Sequence, residues 1–132
     1  MRMGSVVRTL VSVGAFVAAS AQAFAAEVSA YTEPAFKAAQ EAGSSILVHV
    51  TAPWCPTCKA QEAAIDEVGK KPDYANLKVF RVDFDSQKPV WTAWKVNSQS
   101  TLIAFKGTSE TGRIVGQSKP DAVEAVVKTA VK

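Results

Sequence analysis

The chain carries two cysteines, Cys55 and Cys58, with two residues between them. Thiols at this spacing can form a redox disulfide, hold a soft metal or anchor a haem. Haem attachment is excluded, because Lys59 stands where that chemistry requires a histidine. A disulfide kept for stability alone is a poor explanation, since the entropy removed from the unfolded chain grows with loop length and this loop is nearly the shortest available. A reactive pair fits better. The pair falls where a strand gives way to a helix, so the Cys55 sulfur faces unpaired backbone N–H groups and the positive end of the helix dipole, both of which favour thiolate over thiol. The thiolate is the attacking species in disulfide exchange.

The elements that must position this pair are readable on either side of it. Ile46-Leu47-Val48-His49-Val50 is a β-branched and apolar run without alternation, as expected of a strand buried on both faces. Thr51 to Trp54 breaks it, and Cys58 to about Lys70 reads as a helix with Gln61, Ile65 and Val68 on the face of Cys58. Ahead of the strand, Thr32-Glu33-Pro34 reads as a helix start and Gly43 as its stop. Behind the helix come a strand over Leu77 to Asp83, a short helix over Pro89 to Lys95, a strand over Thr101 to Lys106 and an edge strand over Gly112 to Val115. Ser118-Lys119-Pro120-Asp121 has capping-box spacing, and Ala122, Val123, Val126, Val127 and Ala130 form one helical stripe. Val28-Ser29-Ala30 adds a short first strand. The order implies a small α/β layer fold, a mixed sheet of four to five strands with about four helices covering both faces. Trp91 and Trp94 are read as core residues of the short helix, and Asp66, Glu67, Lys70 and Lys71 as a solvated surface.

Val48 to Lys59 resembles the active-site segment of the thioredoxin family, a buried strand running into Trp-Cys-x-x-Cys-Lys. Val82-Asp83, Lys88-Pro89 and Thr101 to Gly107 look like that family's later landmarks, so the likeness spans nearly the whole chain behind its first segment. The resemblance implies a thioredoxin fold and a thiol:disulfide oxidoreductase that needs no cofactor. Cys55 would attack a partner's disulfide and Cys58 would resolve the mixed disulfide. Trp54, Pro56, Thr57, Ser100 and Thr101 would meet the client, and Pro56-Thr57 would tune the potential. That dipeptide is neither the Gly-Pro of the usual cytoplasmic reductant nor the Pro-His of the strong periplasmic oxidant. It looks more like exported reductants fed by a membrane thiol donor.

The chain departs from the family at two positions. His49, the only histidine, stands six residues before Cys55 where the family has a buried acid that moves the resolving cysteine's proton. It reads either as a base in that role or as a core histidine bonded to a backbone carbonyl, and burial would keep it neutral in both cases. Ser100 stands where the family carries a cis-proline facing the sulfurs. A cis bond before a non-proline residue costs about 3 to 4 kcal/mol, so a trans or strained Ser100 is expected, with looser shielding of the thiols.

The first segment reads as an address. Arg2 and Arg8 precede an apolar stretch from Leu10 to Ala19, and Ala23-Phe24-Ala25 offers the small residues of a cleavage site. Residues 1–25 are thus expected to be a signal peptide and 26–132 a thioredoxin-like domain. The protein is expected in the periplasm as a monomer that does not span the membrane, and there disulfides persist. Without Arg2 and Arg8 the 132-residue chain keeps 13 Lys and Arg against 12 Asp and Glu, so charge offers no argument for a nucleic-acid partner. The rival reading is a metal-handling protein whose reduced Cys55 and Cys58, with His49, bind or deliver copper.

Overall fold

The computed structural model describes residues 25–132, together with Gly14 and Ala15. The expected export signal therefore lies almost wholly outside the described residues.

Five strands form one sheet: β1 (Glu27–Ala30), β2 (Ser45–Thr51), β3 (Lys78–Asp83), β4 (Thr101–Lys106) and β5 (Ser109–Val115). Their spatial order is β1-β3-β2-β4-β5. β1 and β2 run parallel to β3, whereas β4 is antiparallel to both β2 and β5. The apolar run of β2 thus lies in the middle strand, and its residues Ile46 to Val50 are all buried.

Helices α1 (Glu33–Glu41), α2 (Pro56–Gly69), α3 (Lys88–Ala93) and α4 (Pro120–Val131) cover the two faces, with a single 3₁₀ turn at Pro72–Tyr74 after α2. On one face α2 and α4 pack Ile65, Val68, Val123, Val126 and Val127 against Leu47, Val79, Leu102 and Ala104. On the other, Phe36 of α1 and Trp91 of α3 meet Val48, Val50, Phe80, Val82, Ile103 and Phe105. Trp94 is half-buried against the same cluster, and Trp91 stacks on Phe84 at 4.6 Å while its indole N–H donates to the Phe84 carbonyl. Both tryptophans are therefore core residues.

Of the boundaries that differ from expectation, three have a plain local reason. α2 begins at Pro56 and not Cys58, because Cys55 is its N-cap and proline suits the first helical position, where no N–H is needed. α4 has Lys119 as N-cap with no side-chain bond, so the expected capping box from Ser118 does not form. Pro120 causes this: the residue before a proline is held extended, which places the cap one position later. β5 begins at Ser109, three residues before Gly112, since the turn at Gly107 (φ 57°) returns the chain at once beside β4. Its first residues are polar and edge-paired through the main chain, which leaves no hydrophobic signal.

Candidate active site

The site forms where β2 ends and α2 begins. Ala52, Cys55 and Cys58 form a small buried cluster at that junction, with Phe84 packed against it. Cys55 and Cys58 are joined as a disulfide, their Cα atoms 5.2 Å apart. The Cys58 backbone N–H donates to Cys55 Sγ at 3.1 Å, so the sulfur occupies the place that a serine or aspartate oxygen takes at other helix starts. A helix-terminal position predicts an exposed Cys55, but it is only 3% exposed and Cys58 is fully buried.

Ser100 lies against both sulfurs. It is itself buried, and its Oγ lies 3.1 Å from Cys55 Sγ and 3.2 Å from Cys58 Sγ. The bond before it is trans, and its φ of 60° places it in the left-handed region. The expected loosening is thus corrected: the strained backbone sets the hydroxyl against both sulfurs. Ser100 N–H donates to the Val50 carbonyl, and its own carbonyl accepts from Gly116 N–H and from Gln61 Nε2. Thr101, expected to meet the client, is buried and turns its hydroxyl to the Ser98 carbonyl.

Trp54 is 58% exposed, the largest apolar side chain on the rim. Its Nε1–H donates to Asp85 Oδ2 at 2.9 Å, and its ring meets Phe84 edge-on. Asp85 in turn is placed by its backbone N–H, which donates to Asp83 Oδ1. Pro56 is exposed and Thr57 half-buried on the first turn of α2.

His49 is buried in β2, on the face beneath α2. It bonds neither to a sulfur nor to a backbone carbonyl: its Nε2 lies 3.0 Å from Gln61 Oε1. The Gln61 amide nitrogen gives both hydrogens away, to the Ser100 carbonyl at 2.9 Å and the Gln117 carbonyl at 2.8 Å. Gln61 Oε1 must therefore accept, which puts the ring proton on Nε2 and leaves Nδ1 bare and without a partner among the described residues. Gln61 is the site residue that sequence reasoning passed over. Its signal was a polar side chain on the apolar face that carries Cys58, Ile65 and Val68.

Burial pushes the His49 pKa from 6.5 down to about 4; the Gln61 bond opposes the shift and the nearby Arg81 charge adds to it. The folded ring refuses a proton that the unfolded chain accepts, so stability is full above pH 6.5 and falls as pH drops towards 4. The loss is about 3 kcal/mol in all. Denaturant titrations of the wild type and His49→Leu at neutral pH and near pH 4 check this. The variant is expected to gain that amount relative to the wild type on acidification, and a pH-independent gap would rule the linkage out.

Among the described residues, no three His, Cys, Asp or Glu side chains come together as metal ligands. No helix described is long and apolar enough to cross a membrane.

A family model described as thioredoxin matches residues 26–129. An H-type thioredoxin of Fagopyrum esculentum is 30% identical over 91 residues, 69% of this chain and 77% of that protein. The crystal structure of Trxlp from Edwardsiella tarda EIB202 superposes with a TM-score of 0.74 at 38% identity, covering 76% of this chain and 98% of that one. A mutant thioredoxin from Halobacterium salinarum, with a TM-score of 0.70 at 17% identity over 86% of this chain and 96% of that one, shares the fold. A five-stranded mixed sheet that delivers a cysteine pair to a helix start behind an exposed tryptophan thus matches the family over residues 26–129, and the chain belongs to the thioredoxin family of thiol-disulfide oxidoreductases.

Proposed function

We propose that the chain is exported by a bacterium, trimmed behind Ala25, and works in the periplasm as a reductant of disulfide-bonded proteins, resupplied by a membrane thiol donor. The observation that carries the exchange chemistry is Cys55 as N-cap of α2, where the Cys58 N–H and the helix dipole both favour its thiolate. The Cys55 thiolate attacks a client disulfide. A Cys55–client bond forms, the client S–S bond breaks, and the departing client sulfur takes a proton from solvent. Cys58 then loses its proton and attacks Cys55 Sγ. The client leaves as its second thiol with that proton, two electrons richer, and the Cys55–Cys58 disulfide is restored. The exposed Trp54 and Pro56, with the half-buried Thr57 beside them, form the rim against which a client would dock. Export is supported by Arg2 and Arg8, the apolar Leu10 to Ala19 and the small residues before Ala26. The reductant direction is supported by the likeness of Pro56-Thr57 to the dipeptide of exported reductants, although it matches neither the Gly-Pro of the cytoplasmic reductant nor the Pro-His of the strong oxidant.

The full chain expressed in a Gram-negative host tests both parts. The expected result is a periplasmic protein that starts at Ala26 and has a reduction potential near about −270 mV. A potential near about −120 mV would make it an oxidant, and an untrimmed cytoplasmic product would end the export reading.

A further inference from the structure

Among the described residues, the Ser100 hydroxyl is the one side chain within hydrogen-bond distance of both sulfurs, at 3.1 Å from Cys55 Sγ and 3.2 Å from Cys58 Sγ. Its position is held from three sides, by the Val50 carbonyl, the Gly116 N–H and the buried Gln61 amide, in a backbone conformation unfavourable for a residue with a Cβ. A disulfide makes little use of such a group, since its sulfurs are weak acceptors. A reduced pair makes full use of it. A thiolate wants a donor and a neutral thiol wants an acceptor, and a hydroxyl is both at once.

We infer that Ser100 is a catalytic residue of the exchange, its O–H donating to the Cys55 thiolate while its Oγ accepts the Cys58 S–H. This rests on the exchange reading above and adds a second donor to the Cys55 sulfur beside the Cys58 N–H. When Cys55 attacks the client, the Ser100 hydroxyl gives up its bond to the thiolate as the Cys55–client bond forms. When Cys58 attacks Cys55, its proton leaves along the bond to Ser100 Oγ and is taken up by the departing client sulfur. A donor to the thiolate stabilises the reduced state, so Ser100 makes the pair less reducing than the helix start alone would.

The test compares the reduced wild type with Ser100→Ala and Ser100→Gly, read by thiolate absorbance against pH and by equilibrium with glutathione. Glycine adopts φ 60° freely, so that variant removes the hydroxyl and relieves the strain together. In both variants the Cys55 titration midpoint is expected to rise by about one unit. The disulfide should be favoured about tenfold more, a potential lower by about 30 mV. Unchanged midpoints and equilibria beside a pair that still cycles would overturn the Ser100 role alone. A shift in the alanine variant that is absent from the glycine variant would assign the effect to the backbone and overturn it too. A wild-type pair that cannot be cycled in thiol buffer would instead overturn the exchange reading, and the Ser100 role with it.

Discussion

A Cys58→Ser variant should stop exchange at its midpoint and leave the client covalently bound to Cys55. The wild-type resolving sulfur is buried one helical turn beyond Cys55 and already within bonding reach of it. Attack from such a held position is worth an effective concentration of about 10⁵ M or more, which an external thiol at millimolar level does not approach. Turnover on a defined disulfide-bonded protein should therefore fall by about a thousandfold or more, and an adduct should accumulate with the mass of both partners. Non-reducing electrophoresis and mass spectrometry would show it, and dithiothreitol should release it. If this variant turns the client over at the wild-type rate, Cys58 is not the resolver.

The largest stability effect is expected at Gln61. Its side chain is fully buried and makes three hydrogen bonds, to His49, to the Ser100 carbonyl and to the Gln117 carbonyl. Gln61→Leu keeps the volume, strips the buried His49 Nε2–H of its partner, takes one of the two bonds of the Ser100 carbonyl and removes the donor to the Gln117 carbonyl. At about 1–3 kcal/mol for each buried polar group left unmade, and with Gln117 partly open to solvent, the sum is about 3–5 kcal/mol. For a domain of this length that corresponds to a melting temperature lower by about 15–30 °C. Thermal and denaturant unfolding of the two proteins measure it, and a loss below about 1 kcal/mol would mean that the three partners find other bonds.

Much of the fold could be read from the sequence because it is written in local signals. β2 is a continuous apolar run, proline and glycine punctuate α1 and α4, and the stripe on α4 has helical period. The start of α2 is harder to place because the cap there is a sulfur, which no capping preference names. In the site, the cysteine pair and Trp54 declare themselves by type and spacing. The roles of Gln61 and Ser100 do not, for their bonds join residues 12 to 56 positions apart in sequence. Ser100 is the sharper case. Residue type announces the missing proline and suggests less cover, whereas the hydroxyl meets both sulfurs through a positive φ that residue type does not encode.

The Ser100 carbonyl carries a further consequence for how long a client stays. A carbonyl oxygen has two lone pairs, and here Gly116 N–H and Gln61 Nε2 occupy both from within the protein. The adjoining Gln99 carbonyl already takes the Ser98 hydroxyl. A peptide laid along this loop would therefore find the Ser100 acceptor filled and only one lone pair left on the Gln99 carbonyl, so more of its hold would fall to the Trp54 rim and the transient sulfur bond. Such a hold favours short residence times and a broad range of sequences, with dissociation rates and not encounter rates separating one client from the next.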